Sequence, residues 1–334
     1  MARAIRSRHA GWLALWKNRT ARAVPLGLEP DGSRRAAWIG IGWFALGRLD
    51  GNCSFERNSV KLSVVEHLGH ANKSESKSDR AMGKLSGKRV IVTGGGQGLG
   101  LAIVQSLLAE QCSVVIHYHT SREGADSLVA AATAKGLKAK AIQADLTDEQ
   151  AVKEFAKSAA EFLGGVDILI NNAGDLIGRR RLEEIEGAFW EKVMNVNLTS
   201  MMLVTRECVP HLCSNPASSI VNLASLAGRK GGHAGSLAYS TAKGATLTWT
   251  RSLASELADR GVRVNAVAPG LILGTRFHNT HTTKESADKT VAGIPLGRAG
   301  DPDDVARPVV FLASEYDGFI TGATIDINGG VYSA

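Results

Sequence analysis

The chain has 334 residues, of which 44% are hydrophobic and 21% are charged. This composition is typical of a globular protein and excludes disorder over the whole chain. The length allows about two domains of ordinary size, or one large α/β domain with an appendage. Because the sequence contains no run of about 18 apolar residues, a conventional membrane-spanning helix is excluded.

The formal net charge of +7 belongs to the first part of the chain. Residues 1–81 hold 14 Lys and Arg against seven Asp and Glu, whereas residues 82–334 hold 25 of each kind. A domain that is neutral as a whole lacks the basic surface that nucleic-acid binding requires. We therefore expect no nucleic-acid partner.

The cysteines form no Cys-x-x-Cys pair and no metal-ligand spacing with histidine; they are Cys53, Cys112, Cys208 and Cys213. This usage fits a reducing compartment and gives no disulfide framework. We expect a cytoplasmic protein without a metal site.

Residues 1–81 differ from the rest: they contain four of the six tryptophans and show no sustained helical or strand period. Residues 70–80 are linker-like, and a domain is expected to begin at Met82. We expect the extension to be poorly ordered, or absent from a native protein whose translation starts at Met82. Two alternatives are an organellar transit peptide, which seven acidic residues disfavour, and an apolar stretch, Ala36–Gly47, that lies on a membrane or covers a partner.

From residue 88 onward, short β-branched runs alternate with helical patterns. The predicted strands are Arg89–Thr93, Ser113–Tyr118, Ala139–Ala144, Asp167–Asn171, Ser219–Leu223, Arg263–Ala268 and Ala323–Ile327. The predicted helices include Leu101–Glu110, Glu149–Leu163, Ala188–Leu212, Tyr239–Arg260 and Pro302–Ser314. Such alternation predicts a parallel sheet with helices on both faces, and strands that are apolar throughout indicate a doubly wound sheet.

The first strand leads directly into a glycine-rich loop, and a helix follows. Glycine allows the backbone to turn sharply and to approach a pyrophosphate, and the helix N-terminus presents N–H groups to the anion. A tight strand–helix turn without a ligand is the alternative. In this context we predict dinucleotide binding by Thr93, Gly94, Gly96, Gln97, Gly98, Leu99 and Gly100.

The end of the second strand bears on the choice of cofactor. An acidic residue there would bind a ribose 2′-hydroxyl and repel a 2′-phosphate. Tyr118 occupies this place, and Thr120, Ser121 and Arg122 follow it. We therefore expect NADP(H) to be favoured over NAD(H).

Further cofactor contacts are expected at the carboxyl ends of the next two strands, where ligands of such sheets bind. Asp145 ends the third strand and could accept a hydrogen bond from an adenine amino group, and Leu146 follows. Asn171 ends the fourth, and Ala173 and Gly174 allow a close backbone approach. The alternative for the Asp and Asn residues is a turn or a helix cap.

Tyr239 and Lys243 lie four residues apart on one face of a predicted helix. Lowering the pKa of a tyrosine from about 10 to about 7 requires roughly 4 kcal/mol of preference for the phenolate. One ammonium at about 4 Å, in a medium of effective dielectric 20, supplies roughly that much. The pair is therefore an adequate acid–base device if both groups point into one dry cleft; a surface contact is the alternative.

Two further polar residues strengthen the case for catalysis. Ser225 lies just past the fifth strand, and its hydroxyl can donate to a substrate carbonyl oxygen while Tyr239 transfers the proton. Asn197 lies within a predicted helix, where a neutral amide is unusual. A solvated polar position is the alternative for Asn197.

Residues 84–334, about three quarters of the chain, resemble the short-chain dehydrogenase/reductase family. The matching elements, in order, are Thr-Gly-x-x-x-Gly-x-Gly at residues 93–100, Asn171–Gly174, Asn197, Ser225, Tyr239, Lys243, Pro269–Gly270, Ile320–Gly322 and Asn328–Gly330.

The resemblance implies a single catalytic domain, residues 82–334, with a Rossmann-type, seven-stranded parallel sheet. It implies hydride transfer between a nicotinamide and a carbonyl or alcohol carbon. Tyr239 would be the acid/base, Lys243 would lower its pKa and hold the nicotinamide ribose, Ser225 would polarise the carbonyl, and Asn197 would order a proton-relay water. A homotetramer or homodimer is implied as well.

The loop after the sixth strand departs from the family pattern. The family has Thr four residues beyond the Gly of Pro269–Gly270, to hold the nicotinamide amide, whereas this chain has Gly274 there and Thr275 one residue later. Either Thr275 takes the role after a one-residue shift, or the contact differs. Ile272 is a further predicted cofactor contact.

The substrate is less well specified than the reaction. The chain is similar to 3-oxoacyl-carrier-protein reductases, and some stretches also resemble reductases of uronate-type keto sugars. Arg179, Arg180 and Arg181 would favour an anionic substrate if they face the cleft, and a solvated basic loop is the alternative. A non-catalytic nucleotide-binding scaffold and an enzyme tethered to a membrane by residues 36–47 are alternative functions.

Overall fold

The computed structural model describes residues 85–212, 218–314 and 318–334. The predictions for the extension 1–81, its apolar stretch 36–47 and the domain start at Met82 lie outside these residues and stay predictions.

Parallel strands form one sheet in the order β3-β2-β1-β4-β5-β6-β7 within the described residues. The strands are β1 Arg89–Val92, β2 Ser113–Tyr118, β3 Ala139–Gln143, β4 Ile168–Asn171, β5 Ser218–Leu223, β6 Val262–Pro269 and β7 Thr324–Ile327. The order reverses between β1 and β4, which both pair in parallel with their neighbours. The doubly wound, Rossmann-type α/β sheet predicted from the sequence is confirmed.

Helices cover both faces of the sheet. They are α1 Gly98–Ala109, α2 Arg122–Ala134, α3 Glu149–Leu163, α4 Gly187–Met194, α5 Ser200–Cys208, α6 Leu226–Lys230, α7 Leu237–Glu256, α8 Arg276–His281, α9 Lys284–Val291 and α10 Pro302–Ala313. The helices named from the sequence do not include α2, α6, α8 and α9, of which α6 and α8 have only five and six residues. None of the helices described here combines the length and apolar character needed to cross a bilayer.

The alternation of side chains along β1 shows how the sheet forms two cores. Val90 and Val92 are fully buried on one face, in a cluster with residues of α1, α2 and α10. Ile91, between them, is fully buried on the other face, against residues of α3, α5 and α7. A strand that is buried on both faces must be apolar at every position, which explains its continuous β-branched run.

The helix predicted over residues 188–212 is interrupted. After α4, residues Asn195–Thr199 form a π-turn before α5, and a short 3₁₀ turn, Val209–His211, follows α5. The side-chain Nδ2 of Asn197 donates to the Val193 carbonyl at 2.9 Å. In a regular α-helix, this carbonyl accepts from the backbone N–H of residue 197. Single π-turns of this kind occur frequently at functional sites.

Buried polar side chains join the central strands to the helices behind them. Asn171 donates to Asn222 at 2.9 Å and to Thr205 at 3.0 Å, and Asn222 donates to Thr250 at 3.0 Å. All four side chains are buried. Asn171, predicted as a cofactor contact, therefore joins β4 to β5 and α5 rather than facing a ligand.

We expect Asn222→Ala to lower the free energy of unfolding by about 1–3 kcal/mol, because it removes two buried hydrogen bonds, the one that Asn222 accepts from Asn171 and the one that it donates to Thr250. Urea unfolding measures the change. Gln150→Ala, which removes an exposed hydrogen bond to Glu154, is the matched control and should change little. Equal stability of the two variants would contradict a structural role for the network.

Candidate active site

A cavity of about 1270 Å³ lies where the strands end. Its wall includes residues that follow β1, β3, β4, β5 and β6 and the first turn of α1. The predicted site residues that line it are Gly94, Gln97, Gly98, Leu99, Asp145, Leu146, Ala173, Gly174, Ser225, Tyr239, Lys243, Pro269, Gly270, Ile272 and Thr275. Those outside the lining are Thr93, Gly96, Gly100, Tyr118, Asn171 and Asn197.

The glycine loop has the shape that a pyrophosphate requires. Gly94 and Gly98 have φ angles of +62° and +54°, which other residues rarely adopt. A Cβ on residue 100 would collide with the Gly94 carbonyl, and one on residue 96 would collide with Ser121. Gly96 and Gly100 therefore serve close packing of the backbone, whereas Gly94, Gln97 and Gly98 face the cavity at the N-terminus of α1. These residues fit the phosphates of a dinucleotide.

Polar side chains next to the loop fix its position. The Thr93 hydroxyl accepts from the backbone N–H groups of Asn172 and Ala173 at 2.9 and 3.0 Å. The Asn172 side chain donates back to the carbonyls of Thr93 and Gly94 at 2.9 and 3.0 Å. Thr93, predicted as a cofactor contact, thus joins the ends of β1 and β4 from a buried position.

His117 is a buried residue whose function sequence reasoning missed. Its Nδ1 accepts from the Gly94 N–H at 3.0 Å, and its Nε2 donates to the Ala144 carbonyl at 3.1 Å. Its own carbonyl accepts from the Gly95 N–H at 2.8 Å. These contacts require a neutral ring, and burial lowers the pKa of His117 to about 4. The sequence placed this histidine within an otherwise apolar strand, which was the available clue.

The end of β2 differs from the prediction in one position. Tyr118 is buried in the core, and the cavity is lined instead by the next three residues, His119, Thr120 and Ser121. The alternation of side chains along the strand turns Tyr118 to the opposite side from His117. Arg122 pairs with Asp126 on the surface of α2.

At the end of β3, Asp145 lines the cavity and also forms a turn. Its Oδ1 accepts from the backbone N–H and the hydroxyl of Thr147 at 2.9 and 2.7 Å. These hydrogen bonds lower the pKa of Asp145. The predicted adenine contact and the alternative turn role are therefore compatible in one residue.

Ser225, Tyr239 and Lys243 converge on the same part of the cavity. Ser225 caps α6, where its Oγ accepts from the Ala227 N–H at 3.1 Å, and its hydroxyl lies near enough to Tyr239 to act on the pKa of that phenol. Lys243, one turn after Tyr239 on α7, is buried and donates from Nζ to the Leu223 carbonyl at 2.7 Å. Nζ lies 5.8 Å from the centre of the Tyr239 ring.

Burial acts on the protonation of both Tyr239 and Lys243. Burial raises the pKa of Tyr239 to about 12, although the Ser225 hydroxyl acts in the opposite direction. Burial also lowers the pKa of Lys243 to about 8. The prediction that Lys243 lowers the pKa of Tyr239 towards 7 stays a prediction, and desolvation of the phenol acts against it. Tyr239 is a protonated hydroxyl at neutral pH.

Asn197 is fully buried and its side chain is bound to backbone groups. Oδ1 accepts from the Asp175 N–H at 3.1 Å, and Nδ2 donates to the carbonyls of Asp175 and Val193 at 2.7 and 2.9 Å. Asn197 therefore ties the turn after β4 to the π-turn. A Cβ on residue 174 would lie 2.8 Å from Asn197 Oδ1 and 3.2 Å from Lys243 Nζ, which explains the glycine at that position.

The segment after β6 covers the glycine loop. Gly274 has a φ angle of +78°, and Thr275 then caps α8, where its hydroxyl accepts from the His278 N–H at 3.3 Å. A Cβ on Gly98 would lie 3.6 Å from the Thr275 Cβ. Thr275 is buried and lines the cavity beside the loop, in keeping with the one-residue shift.

The three arginines after β4 have different environments. Arg179 lines the cavity, whereas Arg180 lies over the Phe189 ring at 5.6 Å and Arg181 begins a short 3₁₀ turn. Within the described residues, no group of three His, Cys, Asp or Glu side chains is arranged to hold a metal ion.

The pKa of His117 predicts a dependence of stability on pH. Because its folded-state pKa of about 4 lies below the ordinary value of 6.5, the unfolded chain takes up this proton first as the pH falls. The neutral ring therefore stabilises the fold fully above pH 6.5, and this contribution of about 3 kcal/mol is lost between pH 6.5 and 4. We expect His117→Asn to reduce the loss of stability over that range, measured by urea unfolding. His211→Asn, at an exposed histidine, should leave the pH dependence as it is; a similar effect of both variants would contradict the assignment.

Comparisons with known proteins agree with the fold. A sequence model of the family described as Enoyl-(Acyl carrier protein) reductase matches residues 94–332. The 3-oxoacyl-[acyl-carrier-protein] reductase of Vibrio cholerae is 37% identical over 256 residues, which cover 74% of this chain and 98% of that protein.

Solved structures show the same relationship. A short-chain dehydrogenase of Burkholderia cenocepacia, in complex with NADP, superposes with a TM-score of 0.70 at 33% identity, over 75% of this chain and 100% of that one. An NADH-dependent reductase responsible for alginate metabolism superposes with a TM-score of 0.68 at 30% identity, over 75% and 99%. The chain therefore belongs to the short-chain dehydrogenase/reductase family of NAD(P)-dependent oxidoreductases.

Proposed function

We propose that the protein reduces a ketone to a secondary alcohol with NADPH, and that Tyr239 is the proton donor. The observation that carries this proposal is the convergence of Ser225, Tyr239 and Lys243 in one cavity whose wall also includes the glycine loop. A nucleotide-binding scaffold needs no such pair of hydroxyls beside a buried ammonium, so this arrangement disfavours the non-catalytic alternative.

The residues of the site divide the reaction between them. A bound nicotinamide dinucleotide supplies the hydride for the carbonyl carbon. The Ser225 hydroxyl donates a hydrogen bond to the carbonyl oxygen, which gains negative charge as the hydride arrives. Tyr239 then transfers its proton to that oxygen, which completes the alcohol.

Lys243 acts on the state that follows this transfer. Once Tyr239 is a phenolate, a nearby ammonium stabilises it electrostatically, and more strongly in a dry site than in water. The contact of Nζ with the Leu223 carbonyl holds that charge in place. Because Tyr239 is protonated at neutral pH, the protein is ready for reduction, and oxidation of the alcohol should accelerate as the pH rises.

The end of β2 supports NADP(H) over NAD(H). The cavity wall there consists of His119, Thr120 and Ser121, which are a basic residue and two hydroxyl donors, at the N-terminus of α2. These residues suit a 2′-phosphate, whereas an acidic side chain at the same place would repel it. The homodimer or homotetramer and the cytoplasmic location stay predictions.

The sequence suggests two substrate classes: a 3-oxoacyl chain on a carrier protein, and an anionic keto sugar or uronate. The relative from Vibrio cholerae supports the first by its activity, and the cavity position of Arg179 supports the second. Both are ketones, so the proposed chemistry at Tyr239 and Ser225 is the same.

We expect Tyr239→Phe to lower kcat for ketone reduction by at least about 10²-fold, because the proton donor is removed. The dissociation constant for NADPH, measured by fluorescence titration, should change by less than about threefold. Tyr332→Phe, at a tyrosine outside the cavity lining, is the control and should keep full activity. A fully active Tyr239→Phe enzyme would refute the assignment.

We expect kcat/KM with NADPH to exceed that with NADH by at least about tenfold. This ratio corresponds to a free-energy difference of about 1.4 kcal/mol. His119→Asp should narrow this ratio, since it puts a carboxylate on the cavity wall near the ribose. Tyr118→Asp should instead reduce stability, because Tyr118 is buried in the core. Equal efficiency of the parent with both cofactors would overturn the preference.

A further inference from the structure

One wall of the cavity carries four basic side chains from three segments of the chain. Arg179 follows β4, His233 follows α6, and His278 and His281 lie on α8. They are close enough to influence one another: burial, and then the charges of His281, Arg179 and His233, lower the pKa of His278 to about 4. This wall thus holds three imidazole rings around one permanently charged group, the Arg179 guanidinium.

The acidic residue within the cluster contacts one of the histidines. Asp175 Oδ1 lies 3.2 Å from His281 Nε2. The Arg179 guanidinium donates to two uncharged acceptors, the Ala234 carbonyl at 3.3 Å and the His281 carbonyl at 3.4 Å. Both distances are long for a charged donor, and a guanidinium has five N–H groups. Arg179 can therefore bind an anion without giving up these contacts.

The cluster lies beside the proposed proton donor. The Phe277 ring is 5.9 Å from the Tyr239 ring, and it is 5.1 Å from the His278 ring and 5.3 Å from the His281 ring. An anion bound at the cluster would therefore belong to the same small molecule whose ketone lies against Tyr239.

The residues that α8, α9 and their connection contribute to this wall are mostly polar. Phe277 is apolar, and the others with uncharged side chains all bear hydroxyls: Thr280, Thr282, Ser286 and Thr290. The Thr282 hydroxyl is 2.9 Å from His278 Nδ1, which orients the ring. A hydroxylated substrate would find hydrogen-bond partners here, whereas an acyl chain would bring no polar group to this wall.

We propose that the substrate is a hydroxylated keto acid, whose carboxylate is bound by Arg179 and His278 while its ketone lies against Tyr239. This inference rests on the function proposed above, the reduction of a ketone, and adds the class of ketone. Guanidinium and imidazole groups are suitable donors for a carboxylate, and charge-assisted hydrogen bonds of this kind are among the strong ones.

Three probes separate the possible substrates: 5-keto-D-gluconate, L-sorbose and acetoacetyl-N-acetylcysteamine. The first two have the same carbon chain and differ only at the end remote from the ketone. At that end 5-keto-D-gluconate has a carboxylate, and L-sorbose has a hydroxymethyl group. The third is a β-ketoacyl thioester. With NADPH oxidation as the readout, we expect kcat/KM for 5-keto-D-gluconate to exceed that for L-sorbose by about 30-fold, which corresponds to about 2 kcal/mol.

Variants assign the preference to the cluster. Arg179→Gln should raise the KM for 5-keto-D-gluconate about tenfold with little change in kcat, as expected for loss of a binding contact, and should leave L-sorbose kinetics unchanged. Arg179→Lys should restore part of the affinity. Arg180→Gln is the matched control, because Arg180 stacks on Phe189 and is not part of the cavity lining.

His278→Asn gives a second, independent variant. Its side-chain amide can keep the contact with Thr282 that Nδ1 makes, and it removes Nε2. It should weaken the preference for the acid over L-sorbose without abolishing reduction. This variant keeps the inference testable if Arg179→Gln disturbs the contacts with residues 234 and 281.

The outcomes distinguish this inference from the proposed function. The inference about the substrate is supported if the preference for the keto acid falls in Arg179→Gln and in His278→Asn but not in Arg180→Gln. Equal efficiency with L-sorbose, a preference for the thioester, or a preference for the acid that both variants retain would overturn it while leaving ketone reduction established. No reduction of any of the three probes would overturn both.

Discussion

The site depends on one buried charge, the Lys243 ammonium. Removing an ammonium from water costs several kcal/mol unless polar groups replace the solvent. Lys243 Nζ donates to the Leu223 carbonyl at 2.7 Å, and it lies 3.2 Å from where a Cβ on residue 174 would be. The end of β5 and the turn after β4 must therefore take fixed positions around α7. Asn197 holds that turn through the backbone of Asp175.

The same burial determines which proton is available for chemistry. Desolvation raises the pKa of Tyr239 and lowers that of Lys243, so that both groups are pushed towards their neutral forms. A neutral phenol is the form that can give a proton to a carbonyl oxygen. Under the proposed function, protonated Tyr239 is the form that reduction needs, and the ammonium would stabilise the phenolate that the proton transfer leaves.

The two ends of the cavity are built by different means. Around the glycine loop, buried side chains such as Thr93 and His117 orient backbone N–H groups, and the loop itself offers mostly backbone to a ligand. On the wall formed by α8 and the turn after β4, side chains such as Arg179 and His278 face the cavity directly. A cofactor common to a family can be held by backbone geometry, whereas a particular substrate must be selected by side chains.

The sequence by itself determined the sheet, because continuous apolar strands that alternate with helices require parallel strands that are covered on both faces. It also identified Ser225, Tyr239 and Lys243, since their spacing and the parallel strands bring them to one edge. The tertiary structure alone decided which residues face the cavity: Tyr118 and Asn171 are buried, and His117 and Asn172 hold the glycine loop. The tertiary structure also sets the pKa of Tyr239 and brings together the side chains around His278. These properties depend on desolvation and on contacts between residues far apart in the chain, which no local pattern of residues encodes.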